Sequence, residues 1–199
     1  ATNTIRTPNI MTMSTSPNYL VLEAIQTRDP DAIFWEKTGH ALAALHRADM
    51  GHQYGWSSDN CIGPSPQRND FTNDWSRFWL QYRLVPQIRW ARQKSLLDGT
   101  LESLLETLID RIDEWIITER PCLIHGDLWS GNLLCSDTGE PVVIDPAVYL
   151  GHREADLSMA TLFGGFPPRF YDASQEVWPL SPGWRERLQF YGLYHWLNH

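Results

Sequence analysis

Apolar residues at Leu101, Leu104, Leu105, Leu108, Ile109, Ile112, Trp115 and Ile116 recur at spacings of three and four. That is the period of one helical face, and it predicts the cleanest amphipathic helix in the chain. A second helix opens at Asp29-Pro30, where Asp29 can cap and Pro30 suits the first turn, and runs to about His46. Its expected face is Ile33, Phe34, Lys37, Ala41, Ala44 and Leu45. Trp75–Ser95 reads as an aromatic helix with a kink at Pro86. Two runs with strand rhythm, Ile10–Met13 and Tyr19–Ile25, are separated by a Ser- and Pro-containing turn. Residues 49–70 are dense in Gly, Pro, Asn and Asp and predict a long ordered loop.

Past residue 120 the pattern changes to short apolar runs. Pro121–Ile124, Asn132–Cys135 and Val142–Ile144 read as strands, the last two joined by a Ser136-Asp137-Thr138-Gly139 turn. Glu154–Phe163 returns to helix, Gly164-Gly165-Phe166-Pro167-Pro168 breaks it, and a last helix follows Pro182-Gly183. Helices around a few short strands, with no internal repeat, place the chain in the α+β class.

The three strands surround His125-Gly126-Asp127, with Asn132 five residues after Asp127 and Asp145 thirteen after Asn132. Phosphoryl transfer needs a carboxylate to receive the proton of an attacking hydroxyl, and an amide oxygen with a second carboxylate to hold magnesium. This spacing matches the kinase pattern of a loop Asp, an Asn five residues on and a later metal-binding Asp. In isolation Asp127, Asn132 and Asp145 also read as turn residues, and His125 as a structural holder of loop backbone. Ser130 lacks the glycines of a nucleophile elbow. His195 and His199 lie one helical turn apart but have no Glu between them to complete a metal site.

Composition narrows the partners. Lys+Arg 16 against Asp+Glu 24 leaves −8, which argues against nucleic acid. Cys61, Cys122 and Cys135 are scattered, without disulfide or metal spacing, as in a reducing compartment. No apolar run approaches the roughly 20 residues of a membrane span, and no basic-then-apolar leader opens the chain. The expectation is a cytoplasmic protein without a membrane partner. The ten tryptophans promise either bulky packing or a ring-lined pocket.

His125–Leu134 (HGDLWSGNLL), Val143-Ile144-Asp145-Pro146-Ala147, Gly151–Leu157 (GHREADL) and Phe163-Gly164-Gly165-Phe166 together resemble the fructosamine kinase (ketosamine-3-kinase) family, relatives of the aminoglycoside and choline kinases. Tyr19–Glu23, Leu45-His46-Arg47 and Asn60–Gly63 with Gln67 and Asn69 are similar too. The resemblance implies a protein-kinase-like fold, with residues 1–25 a remnant of the small N-terminal lobe plus hinge and 26–199 the mostly helical catalytic lobe. It implies Asp127 as catalytic base, Asn132 and Asp145 as Mg2+ ligands, and backbone groups of Glu23, Ala24 and Ile25 as the adenine contact of ATP. His125, Trp129 and Asp156 are substrate or structural candidates, with Asp156 expected to be buried against free backbone amides near its helix start. The substrate implied is a ketosamine, free or protein-bound, phosphorylated on the sugar's third hydroxyl. Two other readings stand beside it: another small-molecule kinase of the aminoglycoside or choline type, and a non-catalytic pseudokinase-like binding domain. The family's glycine-rich loop and strand lysine do not occur before residue 19, and Lys37 and Lys94, the only lysines, follow the hinge. Residues 1–199, as a fragment or a natural truncation, are therefore expected to bind ATP weakly and to turn over little by themselves.

Overall fold

The computed structural model describes residues 2–199. The first two strand runs pair as an antiparallel hairpin, β1 (Ile10–Thr15) with β2 (Asn18–Leu22). Ile10, Met11, Met13, Leu20 and Val21 are all exposed on it.

The chain then enters α1 (Ala32–Arg47), capped by Asp31 and not by Asp29. The Asp31 Oδ1 accepts the Phe34 amide at 2.8 Å, while Arg28 Nη1 brackets the turn by donating to Asp31 Oδ2 and the Asp29 carbonyl. The buried face of α1 is also rotated from the expected one. Phe34, Thr38, Gly39, Leu42, Ala43, Leu45 and His46 are buried, whereas Ile33 is exposed and Lys37 pairs with Glu140 at the surface. The cause is Gly39. A Cβ there would sit on the Phe170 carbonyl oxygen and 2.8 Å from the Ala173 Cβ, so the smallest residue of the helix decides which side faces its neighbour. We expect Gly39→Ala to destabilise the fold by about 1–3 kcal/mol, the usual cost of overpacking, read as a lowered urea midpoint. An unchanged midpoint would mean that the helices part freely.

The 49–70 segment contains a hairpin that its turn residues did not announce: β3 (Asn60–Ile62) with β4 (Ser65–Gln67), tipped by Gly63-Pro64. Side-chain amides brace it. Gln67 Nε2 donates to Asn60 Oδ1 and to the Ala147 carbonyl, and Asn60 Nδ2 to the Val148 carbonyl. The aromatic helix is three pieces: α2 (Trp75–Trp79), a π-helical turn over Leu80–Leu84, and α3 (Val85–Gln93). Pro86 has no N–H to offer the Tyr82 carbonyl one turn back. The buried Arg83 fills that role, with Nη1 donating to the Tyr82 and Arg68 carbonyls and Nη2 to Asn69 Oδ1.

The predicted amphipathic helix is shorter than its periodicity, α4 (Gly99–Asp110) followed by a 3-10 turn over Ile112–Glu114. Leu105 is buried, but Leu101 and Leu104 are exposed. The period was correctly helical; the burial it implied is incomplete because α4 rests on the rest of the molecule along a narrow strip. β5 (Cys122–Ile124) pairs with β8 (Tyr149–Gly151), a strand the sequence did not suggest, and β6 (Leu133–Cys135) pairs with β7 (Pro141–Val143) across the expected Ser136–Gly139 turn. All seven residues of α5 (Arg153–Met159) are buried, and Glu154 among them accepts from Arg187, further along the chain, at 2.6 and 2.8 Å. Then α6 (Pro168–Val177) packs on α1 and α7 (Trp184–Asn198) on α5. No described helix is long and apolar enough to cross a membrane.

Two clusters form the core. Trp75, Phe78, Trp79, Tyr149, Tyr191 and Tyr194 dominate one. Phe34, Leu42, Leu128, Leu157, Phe170 and Leu188 dominate the other. Most of the buried tryptophan area is therefore packing. His152 stacks against both the Trp75 and the Tyr191 ring, and His195 is buried on α7. Burial pushes the first down to about 3 and the second down to about 4. Each stays neutral in the folded protein while its unfolded counterpart gains a proton below about pH 6.5. The unfolded state thus binds more protons, and stability falls with pH from about 6.5 downward, by up to about 1.4 kcal/mol per pH unit for each histidine. Unfolding free energies measured by urea at pH 7 and 5 should show this loss, reduced in His195→Gln. A flat profile would contradict it.

Candidate functional site

The polar cluster grows from the ends of short strands. β5 leads into His125-Gly126-Asp127, where Gly126 has φ +81° and an added Cβ would collide with the Ala147 carbonyl. Only glycine lets the loop pass this close to the segment after β7. Both ring nitrogens of His125 are used: Nε2 donates to the Ile144 carbonyl at 2.9 Å, and Nδ1 accepts the Asp127 amide at 3.2 Å. Burial holds its pKa below the ordinary histidine value. A neutral ring with both nitrogens committed is a brace between loop and strand, not a proton carrier.

Asp127 and Asn132 meet. Asn132 Nδ2 donates to the Asp127 backbone carbonyl at 2.9 Å and to its Oδ2 at 3.1 Å. The single 3-10 turn over Ser130–Asn132 brings the amide round. Both Nδ2 bonds go to Asp127, which leaves the Asn132 Oδ1 as a free oxygen donor. Burial pushes the Asp127 carboxyl up to about 6; the Asn132 bond pulls it down, and the charges of Asp145 and Asp156 push it up again. Asp145 itself is exposed and turns out of β7 with φ +53°, a backbone state that aspartate tolerates. The Ile144 amide donates to the Asn132 carbonyl at 3.1 Å, which ties the two segments together one residue before Asp145.

Asp156, on α5, is fully buried and accepts from the His125 and Gly126 amides, each at 2.7 Å, and from His46 Nε2 at 3.0 Å. The amides it binds belong to the Asp127 loop, 30 and 31 residues away, and not to the start of its own helix as the sequence suggested. Burial alone would raise the Asp156 carboxyl, but the His46 bond and the Gly126 amide outweigh it and hold the group below its usual range. His46 received no role from the sequence. The signals available were a polar residue on the helix face and the Leu45-His46-Arg47 triplet of the family resemblance.

A cleft of about 520 Å³ opens beside Asp127. Trp129, Phe163, His195, Asn198 and His199 line it, with the Ile62-Gly63-Pro64 hairpin tip opposite. This volume suits a small organic molecule. His195 and His199 therefore belong to a pocket wall. Among the described residues no three His, Cys, Asp or Glu side chains gather as a metal site. Mg2+ fits the pair Asn132 and Asp145, since it takes hard oxygen donors and is commonly held by one or two side chains with substrate phosphates completing its shell.

Glu23, Ala24 and Ile25 leave β2 away from this cleft. The Glu23 carboxylate holds Arg6 at 2.6 Å and the Asn9 side chain at 2.8 Å, and its amide donates to the Asn9 carbonyl. Its side chain is thus committed to the N-terminal segment. The onward stretch is tied to β6, with the Arg28 amide donating to the Cys135 carbonyl and the Asp137 amide to the Gln26 carbonyl.

The fructosamine kinase family profile matches residues 1–199. The chain is similar to a Synechocystis sp. protein named "Probable ketoamine kinase", 40% identical over 203 residues that span 100% of this chain and 68% of that protein. A solved Thermobifida fusca structure described as "putative fructosamine-3-kinase" superposes with a TM-score of 0.88 at 38% identity, over 96% of this chain and 66% of that one. A thermostable mutant of an aminoglycoside phosphotransferase matches over 100% of this chain and 70% of that one, with a TM-score of 0.64 at 16% identity, which shows a shared fold alone. The chain spans about two thirds of the length of these proteins.

Proposed function

Because the chain belongs to the fructosamine kinase family and has its protein-kinase-like α+β fold, we propose that it carries the catalytic lobe of an ATP-dependent ketosamine kinase. The observation that carries this reading is the Asn132 amide pinning the Asp127 carboxylate at the wall of a cleft sized for a small molecule. A pseudokinase-like binding domain would have no need of that geometry.

In this reading the sugar hydroxyl lies against Asp127. Its oxygen attacks the γ-phosphorus of ATP as its proton passes to an Asp127 oxygen. The bond from the γ-phosphorus to the bridging oxygen breaks, and ADP leaves with that electron pair. A carboxyl raised to about 6 is a stronger base than an ordinary aspartate and is still ionised at neutral pH. Bound Mg2+ would supply charge neutralisation for the phosphates, with Asn132 Oδ1 and Asp145 as its protein ligands. Asp145→Asn should raise the Mg2+ concentration for half-maximal activity on the order of tenfold, since it removes the charged ligand. A magnesium titration that superposes on the unsubstituted enzyme would remove Asp145 from that role.

Residues 1–25 serve in this reading as the remnant of the small lobe and hinge, and 26–199 as the catalytic lobe. The adenine edge would meet the Glu23 carbonyl and the backbone of Ala24 and Ile25, since the Glu23 amide and carboxylate are already engaged. The setting we assign is the cytoplasm, in keeping with three free thiols, of which Cys61 is exposed.

The direct test is to incubate the full-length protein that carries this lobe with Mg·ATP and a 1-deoxy-1-alkylaminofructose, and to follow ADP release and the phosphorus-coupled carbon signals of the sugar. Phosphate on the third hydroxyl is expected. ATP turnover on an aminoglycoside or choline, with none on the ketosamine, would overturn the assignment.

A further inference from the structure

The Phe163-Gly164-Gly165-Phe166 stretch has no task among the phosphoryl-transfer residues. Four described non-glycine residues have positive φ: Asn3, Ser95, Asp145 and Phe163. The first three are small polar types that tolerate that region. Phe163, at +52°, is a bulky aromatic for which it is strained. Core burial does not explain the strain, because the side chain is 40% exposed. Strain kept in place at a cleft wall points to a task for the side chain.

The Phe163 ring sits at the centre of a group. His199 lies at 5.3 Å, Trp196 at 5.7 Å and Trp129 at 5.8 Å between centroids, with interplanar angles of 60°, 54° and 69°. Rings meeting at such angles stand as walls that turn corners, not as a flat stack. Trp129 is itself set by Gly131, where any Cβ would run into the indole. Phe163, Trp129 and His199 line the cleft, Asp127 is its one carboxylate, and no Lys or Arg lines it. Aromatic faces and one negative charge, with no fixed cation, form the environment that takes an organic ammonium.

We propose that Phe163 and Trp129 bind the protonated secondary amine of the ketosamine through cation–π contact, with Trp196 supporting the Phe163 ring, so that the site selects N-linked ammonium adducts over neutral sugars and glycosides. This rests on the reading of the cleft as the ketosamine site. The chemistry of the adduct fits. Its nitrogen is four bonds from the oxygen of the third hydroxyl, so a sugar presenting that hydroxyl to Asp127 carries its ammonium inside the same cleft that Trp129 and Phe163 line.

The test is steady-state kinetics of the full-length protein that carries this lobe with two isosteres, 1-deoxy-1-(butylamino)fructose and the ether 1-O-butylfructose. We expect kcat/KM to favour the amine by about tenfold or more, as cation–π contact with several rings allows. Phe163→Leu should collapse the preference by raising KM for the amine more than for the ether, and Phe163→Tyr should keep it. Trp196→Leu, at an exposed position, should shrink it as well and guards against a folding defect at Phe163. Equal use of amine and ether by the unsubstituted enzyme would overturn this proposal and leave the kinase reading standing. So would leucine variants that weaken both substrates alike. Phosphorylation of neither substrate would overturn the kinase reading, and this proposal with it.

Discussion

In the full-length protein that carries this lobe, Asp127→Asn lowers kcat on the order of 10²–10⁴-fold while the affinity for nucleotide stays close to that of the unsubstituted enzyme. The amide has nearly the same shape and can still accept from Asn132 Nδ2 through its oxygen, so the loop and the Asn132 contact at 3.1 Å survive. What is lost is the site that takes the proton. That loss is felt in the transition state, where the hydroxyl becomes acidic, and hardly at all in the ground state. Single-turnover rates and equilibrium binding of Mg·ATP separate the two effects. A variant keeping most of its turnover would show that the proton leaves by another route, and Asp127 would then be a positioning residue.

Asp156→Ala is expected to unsettle both stability and turnover. It removes the acceptor of two buried backbone amides and of His46, and the new methyl group offers nothing in exchange. Leaving buried donors unpaired costs about 1–3 kcal/mol each. A loss of several kcal/mol would be a sizeable share of the stability of an ordinary domain. The catalytic consequence follows from the same bonds. The His125 and Gly126 amides sit immediately before Asp127, so releasing them frees the carboxylate to wander, and kcat should fall further than KM rises. Asp156→Asn keeps one accepting oxygen and should recover part of both losses. Urea denaturation and steady-state kinetics read the two independently. Full turnover by a destabilised Asp156→Ala protein would confine this residue to the fold.

The chemistry around Asp127 could be read locally. The five-residue step to Asn132 is closed by one 3-10 turn, and the hairpin carrying the chain back toward Asp145 is written in Ser136–Gly139, because turn geometry depends on a few neighbouring side chains and glycines. Helices α2 to α5 and α7 were visible in apolar period and in their breakers for the same reason. The resemblance of the His125–Leu134 string to a kinase family came with that local signal.

The tertiary structure decided what depends on partners far along the chain. Capping by Asp31 over Asp29 turned on where Arg28 could reach, and the buried face of α1 on a close approach of Gly39 to Phe170. Strand β8 exists because β5 lies beside it, and its three residues carry too little pattern to announce a strand alone. Asp156 was expected among the amides of its own helix and instead reaches back 30 residues, with His46 joining from 110 residues away. A sequence records each residue's capacity to donate, accept or pack. Which buried donor meets which acceptor is settled only when helices are rotated and docked, since burial turns an optional hydrogen bond into an obligatory one.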